Sequence, residues 1–154
     1  MYVAPTAYLD AGHPWLIQIG DETLVGPWVI VLAHDTSTRL LTGHTLIGRV
    51  RIGKRVYLGH GAIVMPGSTI GDEAVIGPGS VVHGDIPARS IAIGNPAKVV
   101  SDVASFAENH REAIARDPVW PISGWTVGGG ITEERKAAQR GALADRCGYL
   151  ESPG

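Results

Sequence analysis

The chain has 154 residues with 21 Gly, 10 Pro, a single Phe and a formal net charge of −2, enough for one ordinary core and too short for two domains of typical size. Near-neutral charge without a dense Lys/Arg run excludes a nucleic-acid backbone or an anionic membrane as the primary partner. Gly and Pro beside abundant Ile and Val indicate turns and buried β-structure rather than a helical protein. No apolar run approaches the roughly 18 residues of a membrane span, and a lone Cys147 cannot form an intrachain disulfide. A cytoplasmic protein in a reducing compartment is the expectation.

From the N-terminus, the first periodic signal is Ile19, Val25 and Val31, an aliphatic residue at every sixth position, with Gly20 and Gly26 directly after the first two. The pattern then fails. Ala33-His34-Asp35-Thr36-Ser37-Thr38-Arg39 opens a segment that does not rejoin the phase until about Leu46. Val31 and Ile52 are 21 residues apart, three more than one turn of three six-residue units, so the excess is expected to bulge outward as a loop. Loops on rigid scaffolds commonly present binding groups.

The repeat then runs without a gap through Ile52, Leu58, Val64, Ile70, Ile76 and Val82. Four positions after each come Val56, Ala62, Ser68, Ala74, Ser80 and Ile86, and Gly53, Gly59, Gly71 and Gly77 follow the aliphatic residue directly. Period six suits neither an amphipathic helix nor a flat strand. It suits a short strand and a corner. With three units per triangular turn, the aliphatic residues stack into an interior column, the small residues share it, and Gly is expected to supply corner freedom.

Ile52 to Pro87 resembles the hexapeptide-repeat acyltransferases, and Ile91-Ala-Ile-Gly-Asn-Pro-Ala-Lys-Val-Val100 resembles the closing coil of their sugar O-acetyltransferase branch, which includes galactoside and maltose acetyltransferases. The similarity spans about residues 16 to 101. It implies an all-β fold, a left-handed parallel β-helix of hexapeptide repeats over residues 1–100 with a helical C-terminal extension over 101–154. It also implies acetyl-CoA as acyl donor, a hydroxyl of a sugar or sugar nucleotide as acceptor, and a homotrimer whose grooves lie between subunits.

The same resemblance assigns roles. Val-Leu-Ala-His-Asp matches the position of the family's catalytic histidine, making His34 the expected general base. A sugar hydroxyl is a poor nucleophile at neutral pH, and an imidazole with an ordinary pKa of ~6.5 can take its proton. No nucleophile motif such as G-x-S-x-G is present, so direct transfer in a ternary complex is expected. Asp35 and His44 are acceptor-binding candidates. Because neighbours on extended backbone point oppositely, direct pairing of Asp35 with His34 is not expected. Cofactor contacts carry over to Gly59, His60, Pro78, His83, Gly84 and Lys98. The chain has His83-Gly84-Asp85-Ile86-Pro87 where many relatives have Thr-Lys-Asp-Ile-Pro, which shifts phosphate binding towards Lys98 and Arg89.

Two competing classes use similar coils. A γ-type carbonic anhydrase needs a close histidine pair plus a third across an interface, whereas His34, His60 and His83 are spaced by 26 and 23 residues, so no metal is expected. A non-catalytic β-helical assembly module would not require an imidazole beside a phase-breaking loop.

The tail reads differently. Val103, Phe106, Ala107, His110 and Ile114 recur at helical spacing after capping candidates Ser101 and Asp102, and Pro118 stops the pattern. Thr132 to Arg146 reads as a second helix ending near Gly148.

Overall fold

A computed structural model describes residues 1–151. The chain divides into two compact units, the first being Met1–Phe106 and the second beginning at Ala107.

The first unit is a coil of short strands. Its first turn is Tyr2–Val3 (β1), Tyr8–Leu9 (β2) and Ile17–Ile19 (β3). The second is Leu24–Val25 (β4) and Ile30–Val31 (β5), then an arm of His34–Asp35 (β6), the short helix Arg39–Thr42 (α1) and Leu46–Ile47 (β7), and finally Val50–Ile52 (β8). Tyr57–Leu58 (β9), Ile63–Val64 (β10) and Thr69–Ile70 (β11) make the third turn. Val75–Ile76 (β12), Val81–Val82 (β13) and Asp85–Ile86 (β14) make the fourth, followed by Ser90–Ile93 (β15) and Lys98–Asp102 (β16).

With the arm strands β6 and β7 set aside, every third strand pairs in parallel, producing three sheets: A is β1-β4-β9-β12-β15, B is β2-β5-β10-β13 and C is β3-β8-β11-β14. β16 adds antiparallel to β15 and so covers one edge of sheet A. Inter-turn hydrogen bonds such as Leu24 N to Val56 O (2.8 Å) and Tyr57 N to Ala74 O (2.9 Å) run along the stack.

Val25, Val31, Ile52, Leu58, Val64, Ile70, Ile76, Val82, Ile86 and Ala92 are all buried, each Val, Leu or Ile contributing roughly 1.5–3 kcal/mol by its burial. The polar members of the interior are satisfied: Thr23 Oγ1 donates to Gly53 O (2.8 Å) and accepts from Val56 N (3.1 Å), and Ser68 Oγ donates to Val82 O (3.2 Å).

Four expectations are corrected. The repeat begins earlier than Ile19, because Val3 and Leu9 pair with Val25 and Val31 as rungs of the same columns. They are missed because each pair is 22 residues apart, the extra four lying around Asp10–Leu16, where a 3₁₀ turn Pro14–Leu16 sits. Ile86 belongs to the aliphatic column, since it pairs with Ile70; the last corner is two residues shorter than the others.

The inserted arm is much larger than three residues. Val31 lies in sheet B and Ile52 in sheet C, and the corresponding pair in the next turn, Val64 and Ile70, is six residues apart. Fifteen of the twenty-one residues are therefore insertion. Finally, the repeat glycines do not serve by corner freedom. A Cβ on Gly59 would come within 2.7 Å of Pro78 N, and one on Gly53 within 2.7 Å of Asp72 N. Close approach of successive turns is what demands glycine there; the left-handed φ values fall elsewhere, at Glu73, Arg55 and Gly79 for example.

The outer faces differ in character. In register, sheet A presents Tyr2, Leu24, Tyr57 and Val75, and sheet B presents Tyr8, Ile30, Ile63 and Val81. Sheet C presents Gln18, Arg51, Thr69 and Asp85.

At the end of the first unit, Asp102 Oδ1 accepts from Ser105 N (2.9 Å), capping Val103–Arg116 (α2). In the second unit, Val119–Trp120 (β17) pairs in parallel with Tyr149–Leu150 (β18), a strand pair not anticipated. Glu133–Ala142 (α3), capped by Thr132, stops four residues short of the expected Arg146. Leu143 N donates to Gln139 O (3.1 Å) and Ala144 N to Gly141 O (3.4 Å) in a tightened last turn, and the backbone leaves the helical region at Leu143. No helix among the described residues is long and apolar enough to cross a membrane.

Candidate active site

β5 ends at Val31, where the second turn should bend into sheet C. The chain instead continues into an antiparallel hairpin in which His34 pairs with Ile47 and Asp35 with Leu46. Ala33 and Gly48 close its base, Gly48 N donating to Ala33 O at 2.9 Å. His34 therefore leaves the coil at a fixed corner, its side chain 31% exposed.

Its partner comes from the turn beneath. Asp10 follows β2, whose residues pair with β5, so the register stacks Asp10 under the root of the arm. The Asp10 carboxylate is completely buried. Oδ1 accepts from Gly12 N (2.9 Å), while Oδ2 accepts from Ala33 N (2.9 Å) and from His34 Nδ1. Burial pushes this carboxyl up, but the His34 hydrogen bond and the two backbone N–H groups outweigh it and hold it at about 2. An ionised carboxylate only accepts, so the proton of a neutral His34 resides on Nδ1 and Nε2 keeps its lone pair.

A second imidazole adjoins the pair. His13 precedes the Pro14–Leu16 turn, and its ring centroid lies 5.2 Å from that of His34. Its Nδ1 is buried without a hydrogen-bond partner among the described residues. One ligand atom from each of Asp10, His13 and His34 lies within 4.8 Å of the others. Neither Asp10 nor His13 emerges from sequence reasoning. The available signal was Leu9-Asp10-Ala-Gly-His13 directly after a strand rung, recognisable only once Leu9 is placed in the column.

The other predicted residues separate into groups. Asp35 closes a turn in the arm, Oδ1 accepting from Ser37 N (2.8 Å), and the Ser37 backbone and hydroxyl hold its carboxyl below the ordinary carboxylate value. His44 is exposed on the same arm, with Nδ1 against Thr42 O (2.6 Å). His83 and Gly84 follow β13, at the same kind of corner as His34, two turns further on. Gly59, His60 and Pro78 occupy a different corner, between sheets A and B, beside a shallow apolar hollow lined by Tyr2, Leu24, Pro27 and Tyr57. Lys98 is exposed in β16, opposite Ile93. Within one chain these two corners are not brought together.

The first unit is thus a three-sided parallel coil of mostly six-residue units, interrupted by one arm that carries an imidazole. Residues 49–84 match the family model described as bacterial transferase hexapeptide (six repeats). The chain is similar to galactoside O-acetyltransferase of Escherichia coli (strain K12), 36% identical over 92 residues, which is 58% of this chain and 45% of that protein. Among solved structures it is similar to a galactoside acetyltransferase in complex with coenzyme A, with 28% identity, a TM-score of 0.57, and coverage of 70% of this chain and 64% of that one. It is similar also to a hexapeptide-repeat-containing acetyltransferase from Vibrio cholerae O1 biovar eltor complexed with acetyl-coenzyme A, with 28% identity, a TM-score of 0.56, and coverage of 64% and 54%. The chain spans between 31% and 51% of the length of curated relatives it matches.

Proposed function

We propose that this protein is an acetyl-CoA-dependent O-acetyltransferase that acetylates a sugar or sugar-derived hydroxyl, with His34 as general base. The observation that carries the reading is the Asp10–His34 pair at the root of the only arm inserted between β5 and β8. Nε2 of His34 takes the acceptor hydroxyl proton as the oxygen attacks the thioester carbonyl. The new C–O bond forms, the C–S bond breaks as the tetrahedral intermediate collapses, and the imidazolium returns its proton to the departing thiolate. Asp10 fixes the tautomer and stabilises the transient imidazolium, because a buried carboxylate is a stronger partner for a cation than for a neutral ring. No covalent enzyme intermediate is needed.

Acetyl-CoA as donor is supported by the coenzyme A and acetyl-coenzyme A complexes of the similar structures, and the sugar acceptor by the galactoside enzymes. The same likeness supports a left-handed coil and residues 1–100 as the transferase body, with 101–154 an extension. A cytoplasmic setting fits the free, exposed Cys147.

A homotrimer is part of the proposal. The outer faces of sheets A and B are apolar columns while that of sheet C is polar, and Leu40 and Leu41 on the arm are 93% and 90% exposed. Two apolar faces per chain suit a closed ring with one contact repeated three times. Such a ring would set the His34 and His83 corner of one copy against the Gly59, His60 and Pro78 corner of the next, with Lys98 as a phosphate contact and Asp35 and His44 at the acceptor end.

The test is release of free thiol from acetyl-CoA in the presence of a panel of simple sugars and sugar nucleotides, with His34→Ala alongside. The expected result is acceptor-dependent release that falls by a factor of about 10²–10⁴ in the variant, with acetyl-CoA binding retained. Equal turnover in the variant would remove His34 from the role.

A further inference from the structure

We infer that Asp10, His13 and His34 form a site for a divalent transition-metal ion of the zinc type, and that occupancy of this site switches off His34. The inhibition rests on the reading of His34 as base; the binding does not.

The donor set is two imidazoles and one carboxylate, the nitrogen and oxygen ligands that zinc accepts in three-ligand sites with an open fourth position. One donor atom from each residue lies within 4.8 Å of the other two. Ligand atoms of a tetrahedral zinc at 2.0–2.1 Å from the metal are about 3.3 Å apart, so small rotations of the rings about their side-chain bonds bring the three into coordination. His34 Nδ1 already touches Asp10 Oδ2. The third donor has no competing role: His13 Nδ1 is buried and makes no hydrogen bond among the described residues, and a buried ring nitrogen without a partner is a cost that a ligand relieves.

The site is also built rather than adventitious. Asp10 is pinned by Gly12 N and Ala33 N. His13 is anchored by the turn that follows it, Leu16 N donating to His13 O (3.0 Å), and Pro14 stiffens the entry. Gly12 leaves room between them: a Cβ there would stand 3.2 Å from Asp10 Oδ1 and 3.8 Å from His34 Cε1. The Gly12 and Ala33 N–H groups thus fix both carboxylate oxygens in place. The geometry does not repeat the three-histidine arrangement weighed from the sequence, because His60 and His83 take no part.

With the ion on His34 Nδ1, the single proton of the neutral ring moves from Nδ1 to Nε2. Nε2 then has no lone pair for the acceptor hydroxyl. The metal is therefore an antagonist of proton abstraction and not a requirement for it.

The experiment titrates the chelator-treated full chain with Zn²⁺ in competition with a chromophoric chelator, and with Co²⁺ followed by its ligand-field absorption. One equivalent is expected to bind, weakened at least tenfold in His13→Ala and in the more conservative His13→Gln, and unchanged in His60→Ala, with circular dichroism verifying the fold of each variant. Absence of a stoichiometric Zn²⁺ complex, or equal affinity in both folded His13 variants, overturns the site. In parallel, thiol release by the active enzyme is expected to fall with Zn²⁺ occupancy and recover on chelation. Stoichiometric binding that leaves turnover unaffected would keep the site and overturn its coupling to His34, so the two failures are distinguishable.

Discussion

Nδ1 of His34 donates to Oδ2 of Asp10, a residue 24 positions earlier in the chain and one turn lower in the coil. The pair joins a partly exposed imidazole to a fully buried carboxylate. Its carboxylate partner is thus supplied by the stacking of turns, whereas the adjacent Asp35 is engaged with Ser37.

Asp10→Asn should lower kcat by about 10–100-fold with little change in the KM for acetyl-CoA. A hydrogen bond to a charged partner contributes roughly 1.5–3 kcal/mol, and each 1.36 kcal/mol is tenfold in rate. Steady-state kinetics on the folded variant checks this; a rate equal to wild type would show that Asp10 does not support the imidazole.

The same carboxyl predicts an acid signature. Its folded value, about 2, lies below its ordinary 3.8, so its contribution to stability is complete above the ordinary value and disappears as pH falls from there towards about 2. Asp10→Asn lacks the titrating group. The Tm gap between wild type and this variant should therefore shrink across that interval and stay constant above it. Thermal melts at a series of pH values measure the gap directly.

Gly59→Ala should destabilise the coil by about 1–3 kcal/mol, since the added methyl would approach backbone at Pro78 N to 2.7 Å and force adjacent turns apart. Gly61→Ala, where a Cβ meets open space, is the control. Its φ of 68° still strains alanine, so a smaller loss is expected. Denaturant unfolding that ranked the two in the opposite order would contradict close approach as the reason for glycine.

Tyr57→Glu with Ile63→Asp places charge on the apolar columns of sheets A and B without touching the interior. Sedimentation should show a shift from trimer to monomer with the β-rich dichroism spectrum retained. An unchanged sedimentation coefficient would mean that these faces are not the assembly surface.

The architecture was largely legible because its signal is additive: each six-residue unit repeats the same aliphatic, glycine and small positions, and Ile52 to Val82 need no tertiary information to align. Where spacing departs from six, the reading fails. Four extra residues hide Val3 and Leu9, and two missing ones move Ile86 from the small slot to the column. His34 stood out in the sequence because it lies beside the broken phase and because Val-Leu-Ala-His-Asp resembles the family's histidine position. Asp10 and His13 were not, since their meaning arises only from the register of β2 with β5, and that register is concealed by the same four residues. Asp35 and His44 were visible as polar groups near His34, but a sequence does not reveal that Ser37 and Thr42 engage them.

The arm leaves the coil at Ala33 and returns at Gly48, and those two backbones touch. Past His34 and Asp35 the arm hangs from a closed doorway, so the length of residues 36–45 is not fixed by the stacking of the turns above and below. Such a segment is interchangeable: replacing residues 36–45 with a short tight connection, or with a foreign loop, should leave the prism intact while altering which alcohol is admitted to His34. Under the proposed function, recognition of the acceptor and construction of the scaffold are thereby separable engineering problems.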